Sequence, residues 1–543
     1  MNKQGPKLFS VIKDYNKEQF IKDLIAGIIV AIIALPLSIA LALASGVTPE
    51  KGLYTAIVAG FVISFLGGSR VQIAGPTAAF ATIVAGIVAK NGMDGLILAT
   101  ILAGLLLILM GLCRLGNLIR FIPYTITTGF TTGIAVTIVI GQLKDFFGLT
   151  FQHSPVETME KLQEVIACFS SFHWQAFAVG MFSLAILIVF PKINARIPAS
   201  LVAVLAASAL VALLPMQVNT IGSLYEISAS VPKPVFPAIS IHAVREILPD
   251  AFTIAILAAI ESLLSCVVAD SMIGDRHNSN MELIAQGAGN ICSGLFGGIP
   301  ATGAIARTAA NVKNGGRTPV AGMIHAVMLL LILVILMPYA KLIPMPTIAA
   351  ILFMVAYNMS EWRKFVSLLK TAPKSDSIVL VITFILTVVF DLVLAIEVGI
   401  VVTAFLFMKR MADVTKISEW TYVEDNESTK QKLKHVPKNT QVYEITGPMF
   451  FAAADKIQEV IKHSGCGIII LRMRSVPAMD ATALNSLTAL YEECEKNHTR
   501  LIFSHVNPQP MSVMKKGGLE KKVGKENFCQ NIEEALEKAQ HLL

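Results

Sequence analysis

Gly67-Gly68-Ser69-Arg70-Val71-Gln72-Ile73-Ala74-Gly75-Pro76-Thr77-Ala78-Ala79-Phe80 interrupts one run of membrane-spanning hydrophobicity, and Gly297-Gly298-Ile299-Pro300-Ala301-Thr302-Gly303-Ala304-Ile305-Ala306-Arg307-Thr308 interrupts another. An aromatic, Phe65 or Phe296, stands shortly before each Gly-Gly pair. The two stretches occupy corresponding places in two halves of one hydrophobic region. A matched pair of broken segments points to the binding site of a transporter. Irregular backbone at membrane depth survives only when buried in protein or lining a cavity.

Composition outside these stretches agrees. The chain has 543 residues, 54% hydrophobic and 15% charged, against roughly 25% charged in ordinary soluble proteins. Long apolar runs reach to about Arg410 and charge is dense after it. The pattern predicts a polytopic α-helical membrane protein with about fourteen segments, some shorter than the ~20 residues of a full span. The arm 1–22 carries Lys3, Lys7, Lys13, Lys17 and Lys22 and reads as a cytoplasmic amphipathic surface segment, not a cleavable signal. With that arm inside, Arg70, Arg114, Arg120, Lys192, Arg196, Arg276, Lys313, Arg317, Arg363, Lys364, Lys370 and Lys374 fall in inner loops. This predicts that both termini lie in the cytoplasm.

Asp23-Leu24-Ile25-Ala26 opens the first segment and Asp250-Ala251-Phe252-Thr253 the eighth. Seven segments per half is an odd number, so the halves, 23–215 and 250–410, are expected to have inverted topology. The broken stretches become segments three and ten, approaching the midplane from opposite sides. Residues 216–250 read as an extended outer loop, and 411–440 as a linker. The part 441–543 alternates strands (442–445, 467–473, 500–504) with helices (455–462, 480–496, 532–542), which predicts a small α/β domain.

The chemistry concentrates in the broken stretches. Pro76 suits a first helical position, Gly75 permits close backbone approach, and Thr77 adds a hydroxyl. Thr302 and Gly303 match them in the second stretch. Free N–H groups at such helix starts favour anions, and Arg307 adds positive charge one turn further on. Glu261 lies mid-segment in Ala258-Ala259-Ile260-Glu261-Ser262-Leu263. A carboxylate at bilayer depth costs roughly 2.5–3.5 kcal/mol, so it should face a cavity, where it is a candidate proton carrier. A structural carboxylate is the competing reading. Ser38 follows Pro36 in the first segment and either faces the same cavity or bonds its own helix. Asp270, Asp275, Arg276 and His277 read as a capping and ion-pair group at an inner helix end. Gln286 and Asn290 read as interhelical hydrogen-bonding residues. The seven cysteines carry no metal or disulfide spacing. There is no Walker loop, no catalytic constellation, no cofactor signature and no feature calling for nucleic acid.

These residues in combination resemble the sulfate permease (SulP) family of anion transporters. The carrying residues are Asp23-Leu24-Ile25-Ala26-Gly27, Pro36, Gly52-Leu53-Tyr54, Gly75-Pro76-Thr77-Ala78-Ala79, Glu261, Gly287-Ala288-Gly289-Asn290, Arg307-Thr308-Ala309-Ala310-Asn311 and Arg317-Thr318. Ala304-Ile305-Ala306-Arg307 and Asn358-Met359-Ser360-Glu361 look most like the bacterial C4-dicarboxylate uptake branch. The resemblance implies a seven-plus-seven inverted repeat with a core (segments 1–4 and 8–11), a gate, and elevator-like transport. It also implies a homodimer and a C-terminal STAS domain that engages a cytoplasmic partner. Ser38, Gly75, Pro76, Thr77, Ala78, Thr302, Gly303, Ala304 and Arg307 are then substrate-binding candidates, with Glu261 coupling to protons. Sodium coupling stays open. Asp480-Ala481-Thr482-Ala483-Leu484 matches the STAS helix start; there Thr482 is a candidate regulatory phosphorylation site, or the helix is simply capped by Asp480. Leu37 and Ala306 stand where many members carry Gln and Ser. Both changes remove polar groups near the expected site. The resulting expectation is proton-coupled uptake of small dicarboxylates such as succinate or fumarate. Bicarbonate or sulfate transport, an uncoupled channel, and a receptor signalling through STAS are the alternatives.

Overall fold

A computed structural model describes residues 5–117, 123–153, 155, 157–194, 197–214, 216–226, 229–237, 240–390, 392–419, 436–451 and 466–542. Arg120, Arg196 and the helix expected at 455–462 lie outside these residues. The chain divides into two compact units, Met1–Ile400 and Val401–Leu543.

Among the described residues, fourteen helical segments follow in sequence order. Segments one and two are Lys17–Ala44 and Pro49–Leu66. Segments three and four are the two arms of Ala81–Leu112, which breaks at Gly92 (φ 67°, ψ −168°), a backbone conformation that L side chains disfavour. Segments five to seven are Tyr124–Phe147, Trp174–Ile193 and Ala199–Leu213. Segments eight to eleven are Ile241–Ile273, Ser279–Leu295, Ile305–Lys313 and Pro319–Leu336. Segments twelve to fourteen are Met345–Ser360, Lys374–Val389 and Leu392–Val414. Segment eight starts ten residues before the Ala251 expected from apolarity, so 241–250 is helix and not extended loop. Pro249 is accommodated inside it.

The packing repeats with a shift of seven. Segment nine lies on four, and two lies on eleven; eight lies on three and four, and one lies on ten. Likewise thirteen packs on five and six packs on twelve, while five and twelve pack on each other. These neighbour pairs thus have counterparts with the halves exchanged, as an inverted repeat requires. Segments 1–4 with 8–11 form one group, and 5–7 with 12 and 13 the other. Close approach in the first group comes from glycine. A Cβ on Gly104 would lie 2.6 Å from the Gly287 carbonyl oxygen, and one on Gly287 2.5 Å from that of Gly104, so small residues let segments four and nine touch backbone to backbone.

The two broken stretches meet as a two-stranded antiparallel ribbon. β1 (Ala74–Gly75) pairs with β2 (Thr302–Gly303), with Ala74 opposite Gly303 and Gly75 opposite Thr302. Half-helices facing each other were expected; this ribbon between them was not.

The second unit holds a five-stranded sheet, β3 (Lys416–Glu419), β4 (Thr440–Thr446), β5 (Ile468–Ser475), β6 (Arg500–Ser504) and β7 (Phe528–Cys529), in that spatial order. β3 is antiparallel to β4 and the rest are parallel. Alternation along β5 sends Ile469, Leu471 and Met473 to a core with Leu487 and Leu490 of helix Ala481–Lys496. It sends Ile468 and Ile470 to the other face, against Ala535 and Ala539 of helix Ile532–Leu542. Segment fourteen runs to Val414 and β3 follows at once, so 411–419 is regular structure within the stretch expected as linker.

Candidate functional site

Backbone groups freed by the broken stretches find side-chain partners. The wholly buried Glu282 carboxylate accepts from the Gly68 N–H (2.9 Å), the Ser69 N–H (3.1 Å), Gln72 Nε2 (2.9 Å) and Gln286 Nε2 (2.9 Å). The second stretch is held by neutral groups. Asn290 donates to the Ala301 carbonyl (2.8 Å) and accepts the Ala301 N–H (2.9 Å). Thr55 Oγ1 accepts the Ile299 N–H (2.7 Å), and Ser293 Oγ donates to the Ile299 carbonyl (2.7 Å). Between the stretches, Thr308 Oγ1 accepts the Ile73 N–H (3.0 Å), Asn311 Nδ2 donates to the Val71 carbonyl (2.9 Å), and the Ala304 N–H donates to the Ile73 carbonyl (2.9 Å). Almost every one of these acceptors and donors is buried.

At the ribbon's ends two helices begin without a side-chain cap. Thr77 (φ −124°, ψ 158°) precedes the 3-10 turn Ala78–Phe80 that leads into segment three, and Ala304 (φ −91°, ψ 105°) precedes segment ten. Pro76 therefore lies two residues before the first helical residue, displaced from the first position by the ribbon. Uncapped starts leave N–H donors and the positive end of the helix dipole available.

Arg307 is 1% exposed. Its Nη2 donates to Ser38 Oγ and to the Pro76 carbonyl, both at 3.3 Å. Among the described residues, Nε and Nη1 have no hydrogen-bond partner. A Cβ on Gly75 would sit 2.5 Å from Nη1, so glycine is what admits the guanidinium beside β1. Thr77 Oγ1 donates to Glu261 Oε2 at 2.9 Å, across from segment eight to the start of segment three. Ser38, Gly75, Pro76, Thr77, Glu261 and Arg307 are thus one assembly.

Thr302 is wholly buried, and its hydroxyl donates to the Ala258 carbonyl (3.0 Å), joining β2 to segment eight. A Cβ on Gly303 would collide with the Gln72 amide, so Gly303 serves the packing that carries Glu282. Ala78 and Ala304 are buried at the helix starts and contribute backbone only.

Sequence reasoning missed Glu282 and His325. Glu282 stands four residues before Gln286 on the face of segment nine that was read as hydrogen-bonding, which was the available signal. His325 in segment eleven is wholly buried, and neither ring nitrogen has a hydrogen-bond partner among the described residues; a lone histidine in an apolar run offers no sequence signal.

At one end of the unit, Asp270 Oδ2 receives the His277 N–H (2.9 Å) and lies 2.7 Å from His277 Nδ1. Asp275 pairs with Lys7 Nζ (3.1 Å) and Arg70 Nε (2.9 Å). Partial burial pushes the Asp275 carboxyl up, but the Arg276 N–H, the Lys7 bond and the charges of Lys7 and Arg70 outweigh it and hold it below the usual range. In the second unit Asp480 Oδ1 caps its helix through the Ala483 N–H (2.8 Å), and Thr482 is exposed in the first turn.

The sulfate permease family model matches residues 20–383. The chain belongs to the sulfate permease family. A STAS domain model matches residues 431–535. The chain is 39% identical over 528 residues to the putative sulfate transporter YvdB of Bacillus subtilis, covering 96% of this chain and 98% of that one. It is 30% identical over 539 residues to the bicarbonate transporter BicA of Picosynechococcus, covering 95% and 94%. The transmembrane domain of a cyanobacterial BicA superposes with TM-score 0.62 at 28% identity, over 72% of this chain and 98% of that chain. Murine Slc26a9 in an inward-facing state superposes with TM-score 0.88 over 99% of this chain and 94% of that chain, at 20% identity, a likeness of fold. Sulfate permease family members are anion transporters and not enzymes, and this chain is a multi-pass member with the same fold and a C-terminal STAS domain.

Proposed function

We propose that this chain carries small carboxylate anions across the bacterial inner membrane by secondary active, proton-coupled uptake, with C4-dicarboxylates such as succinate and fumarate as substrates. One observation carries the reading. Two uncapped helix starts are tied together by the β1–β2 ribbon beside a buried arginine with unpartnered Nε and Nη1. In low dielectric such donors favour an anion strongly. Ile305 and Ala306 are exposed in the first turn of segment ten, and Leu37 is half-buried beside Ser38. Apolar flanks of this kind suit a carbon-bearing anion better than a compact, strongly hydrated sulfate.

Glu261 supplies the coupling. Its carboxylate accepts from Thr77 at the start of segment three, so when ionised it opposes a substrate anion there. A proton on Glu261 removes that opposition, and anion and proton then move together. The core, segments 1–4 and 8–11, shifts against the gate in an elevator-like step. Both termini are cytoplasmic, the assembly is a homodimer, and phosphorylation at the exposed Thr482 regulates binding of a STAS partner.

Names among the relatives favour a second reading, bicarbonate or sulfate as the anion. Uptake of radiolabelled succinate into proteoliposomes under an inward proton gradient, challenged with excess fumarate, bicarbonate or sulfate, decides between them. The proposal expects competition by fumarate alone. Absence of succinate uptake, or uptake that bicarbonate or sulfate suppresses and fumarate does not, overturns the dicarboxylate assignment.

A further inference from the structure

Between segments twelve and thirteen lies the short helix Trp362–Thr371, which belongs to no membrane crossing and plays no part in the anion site. Glu361 starts it in the left-handed region (φ 44°, ψ 33°), a conformation uncommon for a non-glycine residue. That turn ends segment twelve abruptly and sends the chain sideways. Lys364 Nζ pairs with Glu361 Oε1 (2.6 Å), and the Lys364 N–H donates to the Glu361 carbonyl (2.7 Å). Thr132 of segment five donates to the Ser360 carbonyl (2.6 Å), fixing the same corner. Because the helix joins the end of one membrane segment to the start of the next, connectivity places it at the membrane surface.

Its sequence is two-faced. Trp362, Phe365, Val366 and Leu369 fall at i, i+3, i+4 and i+7; Arg363, Ser367, Lys370 and Thr371 fall at i, i+4, i+7 and i+8 of the opposite face. Phe365 packs on Phe384 of segment thirteen, ring centroids 5.2 Å apart, which anchors the helix to the bundle. Among the described residues, nothing covers the rest of the apolar face. Trp362 is 46% exposed, Val366 37% and Leu369 40%. Arg363 lies over the Trp362 ring at 5.7 Å. Arg363, Lys370 and Lys374 have no carboxylate within ion-pairing reach among the described residues.

An apolar face beside uncompensated bases, held at the membrane surface, matches what anionic phospholipids recognise: acyl chains below, phosphate above. We propose that the helix Trp362–Thr371 lies in the plane of the interface and binds anionic phospholipid headgroups through Arg363, Lys370 and Lys374. Trp362, Val366 and Leu369 enter the acyl boundary. The site is separate from the transport site and independent of which anion is carried.

The test uses the full chain in vesicles and reads quenching of Trp362 by brominated lipid. The W362F variant identifies the Trp362 component against Trp174 and Trp420. At low salt, brominated phosphatidylglycerol mixed into phosphatidylcholine should quench Trp362 about fivefold more effectively than equal brominated phosphatidylcholine, since one basic side chain at an anionic surface is worth roughly that factor. The preference should collapse in R363Q/K370Q/K374Q, whose thermal unfolding should match the parent, and should fade as salt shortens the screening length. Equal quenching by both lipids in the parent, or an undiminished preference in the triple variant, overturns the proposal. Quenching by neither lipid shows that the helix stands off the membrane and overturns it as well.

Discussion

The two broken stretches share a backbone path and differ in what holds them. The first, 67–80, hangs on a buried carboxylate; Glu282 takes four hydrogen bonds from Gly68, Ser69, Gln72 and Gln286. The second, 297–308, is held by neutral groups on Asn290, Thr55 and Ser293. The second also brings the positive charge, Arg307. Pseudo-symmetry therefore governs where the chain goes, while charge is distributed unequally. The negative group that supports the ribbon is fully engaged, and the positive group beside it is only half engaged. With Glu261 engaged only through Thr77 and free to take a proton, spare positive character at Arg307 is what the proposed anion site draws on.

Removing the supports should break this comparison most. Glu282→Ala leaves two backbone N–H groups and two amides unpaired in the interior, a loss of about 3–5 kcal/mol. Asn290→Ala should cost less, about 2–3 kcal/mol. Thermal unfolding of the purified variants in one detergent checks the order, and Asn290→Ala unfolding first would contradict the unequal roles. Next comes the charge itself. Arg307→Gln should fold and lose substrate affinity by roughly 10–100-fold, the worth of a charge-assisted bond. Ser38→Ala, which only orients Nη2 through a 3.3 Å contact, should lose about threefold or less. Equal losses would mean that the hydroxyl, not the charge, recognises substrate.

How far the sequence could be read follows the same division. Segment count, the repeat and the two breaks were legible because apolar runs, glycine and proline act locally. Glu261, Thr77 and Arg307 were legible because a charge or hydroxyl at membrane depth is conspicuous. The β1–β2 ribbon was not, since two-residue strands carry no alternation to detect. The tie from Thr302 to the Ala258 carbonyl was not legible, because that partner is 44 residues away in sequence and supplied only by the tertiary fold. Segment eight was shortened because Pro249 and the polar turn before it look like loop, although packing extends the helix through them. In the second unit β3 and β7 were missed for shortness, whereas β5 announced itself by its apolar run.

A smaller effect sharpens the picture at the N-terminal arm. Asp275 has a depressed carboxyl pKa in the folded protein. Its ion pairs with Lys7 and Arg70 are therefore fully present above the ordinary carboxylate value near 4, and are lost as pH falls through the lower folded value. Hydrogen exchange in Lys7–Val11, corrected for intrinsic rates, should show unchanged protection between neutral pH and about pH 4, and falling protection below it. Protection lost already between about pH 7 and 5 would assign the docking to another group.

The central claim is that Glu261 links a proton to the anion held between the two helix starts. The most direct measurement is substrate uptake by the Glu261→Gln variant in proteoliposomes, with and without an inward proton gradient. The account predicts that the variant still binds substrate, seen as thermal stabilisation, but that its flux no longer responds to the gradient. Uptake by Glu261→Gln that rises with the gradient as it does in the parent protein would contradict the account.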